Sequence, residues 1–158
     1  MKQRPVVVWF RNDLRLADNP ALTAAVRTGA PIIPVYIYDV NAAYAPGAAS
    51  RWWLHESLSA LQSAMVKLGA TLILRRGDEA ETVRSIVQEV GARTVFWNRR
   101  YSAPQVEIDK NLKSELSEGA APVKTFNASL LREPWEIETG SGTPYRVFTP
   151  FWKKLKEI

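Results

Sequence analysis

Short apolar runs alternating with amphipathic helical stretches predict an α/β fold, a parallel sheet with helices on both faces. Three observations carry that prediction. The runs are rich in β-branched and aromatic residues and too short for helices. The stretches between them place apolar residues three and four positions apart, the spacing of one helix face. Glycine or proline marks most of the changes from one type to the other.

The first run, Val6 to Phe10, suits a strand buried on both faces. Asn19-Pro20 then supplies a cap followed by proline at the first helical position, and Gly29 stops that helix. Ile32 to Tyr38 is the second strand, ending at Asp39. The clearest helix runs from about Ser50 to Leu68, with Leu54, Leu58, Leu61, Met65 and Leu68 on one face and Gly69 after it. Thr71 to Leu74 is the third strand. Asp78 and Glu81 have capping-box-like spacing ahead of a helix that buries Val83, Ile86, Val87 and Val90 before Gly91. Thr94 to Trp97 is the fourth strand, a helix around Val106, Leu112 and Leu116 closes at Gly119, and Val123 to Phe126 is the fifth strand. Five strands separated by helices imply βαβ units with right-handed crossovers.

The chain changes character after Asn127. Glu133-Pro134-Trp135, Gly140 to Pro144 and Phe148 to Trp152 are rich in proline, glycine and aromatics and have no clean period, as in a linker or docking segment. A helix has barely begun at Lys153 to Ile158, which suggests a chain cut short. The division expected is a domain over 1–130 and the start of a linker over 131–158.

The 158 residues suffice for one domain with a sizeable core. There is no cysteine, which excludes disulfides, thiolate nucleophiles and iron–sulfur clusters, and the only histidine, His55, excludes a zinc site of the usual His/Cys kind. No metal site and no catalytic residue is expected in this chain. The run Val6 to Phe10, broken by Arg11, is too short for a signal core or membrane span, so a soluble, cytoplasmic protein is expected. The formal net charge of +5 is spread along the chain and does not by itself name a partner.

In an open parallel sheet, ligands bind beyond the carboxyl ends of the strands, where strand order reverses. Those ends carry Phe10-Arg11-Asn12-Asp13, Tyr38-Asp39, Arg75-Arg76 and Asn98-Arg99-Arg100-Tyr101. Such a set fits a flat, polar, anionic ligand held by stacking and charge-assisted hydrogen bonds, and equally the plain exit of buried strands to water. No G-x-G-x-x-G follows the first strand, and neither a G-x-x-x-x-G-K-[ST] loop nor a G-x-S-x-G elbow occurs. Among the six tryptophans, Trp9 and Trp97 read as core. Trp52 and Trp53 are adjacent on a helix, so at least one must meet a ligand, a loop or another domain. Trp135 and Trp152 in the tail call for a partner surface.

Val8-Trp9-Phe10-Arg11-Asn12-Asp13-Leu14-Arg15-Leu16-Ala17-Asp18-Asn19 resembles the opening V-W-F-R-x-D-L-R-x-x-D-N of DNA photolyases and cryptochromes. Gly142-Thr143-Pro144-Tyr145-Arg146-Val147-Phe148-Thr149-Pro150-Phe151-Trp152 resembles their G-x-P-Y-x-V-F-T-P-F-W passage, and the resemblance covers the whole chain in order and spacing. Trp52 to His55 and Trp97 to Tyr101 look most like cyclobutane pyrimidine dimer photolyases of alphaproteobacterial type. The resemblance implies a Rossmann-like five-stranded parallel sheet of order 3-2-1-4-5. It also implies an antenna pigment in this domain, methenyltetrahydrofolate before deazaflavin. That pigment would pass excitation to FAD in a C-terminal catalytic domain outside this chain, for light-driven repair of pyrimidine dimers.

The residues expected to hold the pigment are Phe10, Arg11, Asp13, Asp39, Arg51, His55, Asn98, Arg100 and Tyr101. Arg51 matches an arginine lining the deazaflavin pocket of some members, while the pair that grips folate in one branch falls at Pro104-Gln105. Expected partners are the C-terminal domain and, for the full-length protein only, damaged DNA, with no membrane. This chain alone would not repair DNA. A cryptochrome-type blue-light receptor is the nearest alternative, and a freestanding nucleotide- or flavin-binding module is a second. A purely structural docking domain without pigment is a third.

Overall fold

A computed structural model describes residues 3–39, 46–119 and 121–157. Five strands form one parallel sheet in the order β3-β2-β1-β4-β5: β1 (Val6–Phe10), β2 (Ile32–Tyr38), β3 (Ile73–Arg76), β4 (Thr94–Asn98) and β5 (Val123–Phe126). Between them run α1 (Pro20–Val26), α2 (Ala48–Val66), α3 (Glu79–Val90) and α4 (Ala103–Glu118). This is the architecture expected from the alternation of strands and helices.

β1 lies at the centre, and every one of its five residues is buried. Val7 and Trp9 point to the side of α3 and α4, where they meet Val83, Ile86, Leu112 and Leu116. Val6, Val8 and Phe10 point to the side of α1 and α2, among Ala21, Ala25, Leu61 and Met65. A strand covered on both faces has no polar face to keep, so it reads as an unbroken apolar run. Trp9 and Trp97 are 1% and 0% exposed and meet edge to face at 5.5 Å, in the core as expected.

The boundaries follow local chemistry. Asn19 caps α1 by accepting from the Leu22 amide at 3.1 Å, ahead of Pro20. Asp78 caps α3 by accepting from the Glu81 amide at 2.8 Å, and Gly91 ends it at φ +58°, a left-handed conformation glycine adopts without penalty. Several boundaries differ from the sequence reading, two of them instructively. β3 runs to Arg76, because parallel pairing follows β2 through Tyr38↔Arg76, and a sheet edge tolerates the arginines that ended the apolar run. α2 ends at Val66, so Leu68 lies past the helix and is 73% exposed instead of on its apolar face.

Contacts divide the chain into residues 1–128 and 129–158. The second unit holds a 3-10 turn, Pro134–Glu136, stabilised by a reciprocal capping box between Glu133 and Glu136. It also holds α5 (Phe148–Glu157), which starts five residues before the sequence reading placed a helix. Pro150 falls in the first turn, where its missing N–H costs nothing. Phe148 and Trp152 stack one turn apart, and Trp135 and Trp152 remain 60% and 43% exposed.

Candidate functional site

At the carboxyl ends of β1, β2 and β4 lies a cavity of about 390 Å³. It spans the place where the chain order reverses from β1 to β4. One wall is aromatic, with Tyr36 and Tyr38 from β2 and Trp53 from α2. The opposite wall is ionic, with Arg11, Glu79 and Arg100, while Asp39 and Gln105 complete the rim.

The ionic wall is a buried quartet. Arg11 Nη1 donates to Asp109 Oδ1 at 2.5 Å, and its Nη2 donates to the Asn98 carbonyl. Arg100 grips both oxygens of Glu79 at 2.9 Å, a two-pronged pair, and also reaches Asp109 Oδ1 at 2.8 Å. The Arg11 and Arg100 side chains are 3% and 5% exposed. Burial, followed by repulsion from Arg100, lowers the Arg11 pKa from the usual guanidinium value, against the pull of Asp109. Burial would lower Arg100 too, but Glu79 and Asp109 outweigh it and the net shift is upward.

Both guanidinium groups also lie against indole. Arg11 sits 4.6 Å from the Trp9 ring centre and 5.5 Å from that of Trp97, and Arg100 sits 5.4 Å from Trp9. The strand tryptophans thus form the floor beneath the charges. On the other wall, burial first, then Glu79 and Tyr38, push the Tyr36 hydroxyl up to about 12, so it stays protonated at neutral pH.

A polar clasp fixes the rim from behind. Asn98, 5% exposed, donates to Asp13 and, at 2.8 Å, to Asn19, and accepts from the Ala21 amide at 3.1 Å. Asp13 also accepts from the Arg11 amide at 2.7 Å. One buried side chain therefore ties the ends of β1 and β4 to the start of α1. A buried group paired in this way repays its burial through hydrogen bonds within the protein.

The nine residues singled out from sequence divide accordingly. Arg11, Asp39 and Arg100 line the cavity together. Phe10 is fully buried in the core, pointing away toward α1 and α2. Asp13 and Asn98 are spent in the clasp behind the rim. Arg51 and His55 are exposed on α2 and lie off the cavity wall, where Arg51 donates to the Pro46 carbonyl at 3.0 Å. Tyr101 is half-buried and also off the wall. Of the adjacent tryptophans, both are exposed, and it is Trp53 that faces the cavity.

Three wall or support residues escaped the sequence reading, Tyr36, Glu79 and Asp109, whereas that reading places Tyr38 at a strand end. The tyrosines alternate at the end of a strand, so the period of two was a usable signal. Glu79 reads as an ordinary acid in a helix's first turn, and Asp109 as a surface residue of α4.

The family model for DNA photolyase matches residues 6–158. A deoxyribodipyrimidine photo-lyase of Agrobacterium fabrum is 49% identical over 156 residues, which are 99% of this chain and 32% of that protein. Cryptochrome-1 of Arabidopsis thaliana is 40% identical over 151 residues, 94% of this chain and 22% of the relative. Among solved structures, a bacterial class III photolyase from Agrobacterium tumefaciens superposes with a TM-score of 0.92 at 49% identity, covering all of this chain and 33% of its own. The chain therefore spans a third or less of the length of these relatives. With the model matched along nearly its whole length and the sheet order that of the photolyase α/β domain, this chain belongs to the DNA photolyase family, as its N-terminal domain.

Proposed function

We propose that this chain is the light-harvesting domain of a deoxyribodipyrimidine photo-lyase, holding an antenna pigment in the cavity above β1, β2 and β4. The observation that carries the reading is the cavity itself. It has the size of a small-ligand site, stands at the switch point of the sheet and sets three aromatic rings opposite a rigid ionic wall. The 49% identity to a photo-lyase supports the enzyme class.

The pigment proposed is methenyltetrahydrofolate, with a deazaflavin as the alternative. The wall fits a flat conjugated ring: Trp53, Tyr36 and Tyr38 offer stacking surfaces, and Gln105, Asp39 and the tyrosine hydroxyls offer polar partners around its edge. When bound, such a pigment supplies absorption of near-ultraviolet or blue light. The protein's own part is mechanical. The Asn98 clasp and the Arg11–Asp109–Arg100–Glu79 quartet hold the wall in one geometry, which energy transfer at fixed distance and orientation requires. In the whole protein the acceptor would be FAD in a C-terminal domain and the substrate a pyrimidine dimer in DNA. This chain alone would neither repair nor grip DNA, and its working compartment would be the cytoplasm. No helix among the described residues is long and apolar enough to cross a membrane.

The 40% identity to a plant cryptochrome favours one second reading, the same domain in a blue-light receptor. Titration of the purified chain with methenyltetrahydrofolate, followed by its visible absorption and fluorescence anisotropy, tests the pigment. Saturable binding supports the reading, and its absence from a chain folded by circular dichroism overturns it. Light-dependent dimer splitting by the full-length protein separates photo-lyase from receptor.

A further inference from the structure

Arginines at a strand-end rim suggest a site for anions, yet the charges on this wall cancel. Among the described residues, two cations and two carboxylates line the cavity: Arg11 and Arg100 against Asp39 and Glu79. Asp109, shared by both guanidinium groups from behind, adds one negative charge to the balance. Neither guanidinium is at liberty to turn. Both terminal nitrogens of Arg11 are engaged, by Asp109 and the Asn98 carbonyl, and both of Arg100 by Glu79 and Asp109. Glu79 also lies near enough to Tyr36 to add, after burial, to the upward shift of its hydroxyl.

We propose that Glu79 determines the charge preference of this cavity: by tying up Arg100 it makes the site accept a cationic conjugated ring in preference to one without that charge. The inference rests on the reading of the cavity as a pigment site and adds to it a residue and a rule. Glu79 suits the role because it belongs to the first turn of α3, so its carboxylate is anchored by a helix and not by a loop. Its side chain is 16% exposed, dry enough for a charge to count and open enough to face a ligand. With Glu79 neutral, the fork on Arg100 would open and the wall would lose one negative charge, turning an acidic-to-neutral surface toward basic.

Two folates with the same tail differ in ring charge and in the N5–N10 bridge, so it is the change in their affinity ratio between variants that reads charge. 5,10-Methenyltetrahydrofolate carries a cationic ring system and 5-formyltetrahydrofolate an uncharged one. Affinities of both are measured by fluorescence and calorimetry for the wild-type chain, Glu79→Gln, Glu81→Gln and the double variant Glu79→Gln/Arg100→Gln. The expected result is a wild-type preference for the methenyl form of about tenfold or more. Glu79→Gln should bring the ratio near one. Glu81→Gln, in the same helical turn but off the cavity wall, should leave the ratio alone. The double variant removes one charge of each sign and should regain the preference, which separates charge from a general loss of shape. Equal wild-type affinity for the two folates, or a ratio that survives in Glu79→Gln, overturns the inference and leaves the pigment site standing. Should neither folate bind the folded wild-type chain, the pigment reading falls and takes the inference with it.

Discussion

Replacing Asp109 by alanine is the sharpest test of how the ionic wall is held. Asp109 Oδ1 is the shared acceptor of two buried guanidinium groups, at 2.5 Å from Arg11 and 2.8 Å from Arg100. Arg100 would keep Glu79, but Arg11 would keep only the Asn98 carbonyl, with a second cation beside it. Breaking a buried pair by removing one partner costs about 3–5 kcal/mol, because an uncompensated charge stays in the interior. Against the ~5–15 kcal/mol that holds a typical domain together, that is a large fraction. At roughly 2–4 °C per kcal/mol for a chain of this size, the midpoint should fall by about 6–20 °C. Urea and thermal unfolding followed by far-ultraviolet circular dichroism measure it directly. Two companions calibrate the result. Arg84→Ala, which breaks a pair 41% and 52% exposed, should cost less than about 1 kcal/mol. Arg11→Met combined with Asp109→Leu, which replaces the pair by apolar groups of similar size, should recover much of the loss. A cost below about 1 kcal/mol for Asp109→Ala, or a double variant worse than the single, would refute the assignment of the quartet as a closed, mutually dependent unit.

Trp53→Ala should weaken methenyltetrahydrofolate binding by about tenfold, whereas Trp52→Ala, at the adjacent ring off the cavity wall, should leave the titration unchanged. Because the Tyr36 pKa is raised from 10.0 to about 12, folding keeps its proton on, so its contribution is full below pH 10 and is lost as pH rises from 10 to 12. Tyr36→Phe should flatten that alkaline decline in urea midpoint and remove one late tyrosinate step from the absorbance titration. Gly91→Ala forces a side chain to φ +58° with no steric neighbour within 4 Å, so the expected cost is only the backbone term, about 1 kcal/mol by urea unfolding.

Much of the architecture was legible in the residue order. Continuous apolar runs such as Val6–Phe10 admit only strands covered on both faces, and Asn19-Pro20, Asp78 and Gly91 mark helix ends by chemistry local to a few residues. One misread boundary was decided by pairing: β3 follows its neighbour to Arg76 although its own apolar run stops at Leu74. The site was only partly legible for the same reason. Arg11, Asp39 and Arg100 could be placed at strand ends, and strand ends form the rim. What a side chain does there depends on partners distant in sequence. Asn98 and Asp13 were expected beside a ligand, and the fold joins Asn98 to Asp13, to Asn19 and to the Ala21 amide, 85, 79 and 77 positions away. Arg51 and His55 lie on a helix near the rim, but its rotation sets Trp53 on the cavity wall and leaves them off it.

Periodicity and capping are short-range physics, so the amino-acid order alone determined the class of fold, the sequence of its elements and the core tryptophans. Charge pairing across the sheet is long-range. Only the tertiary structure, by setting Asp109 and Glu79 against two arginines that the chain places far from both acids or on separate elements, decided that a rim rich in arginine is electrically spent.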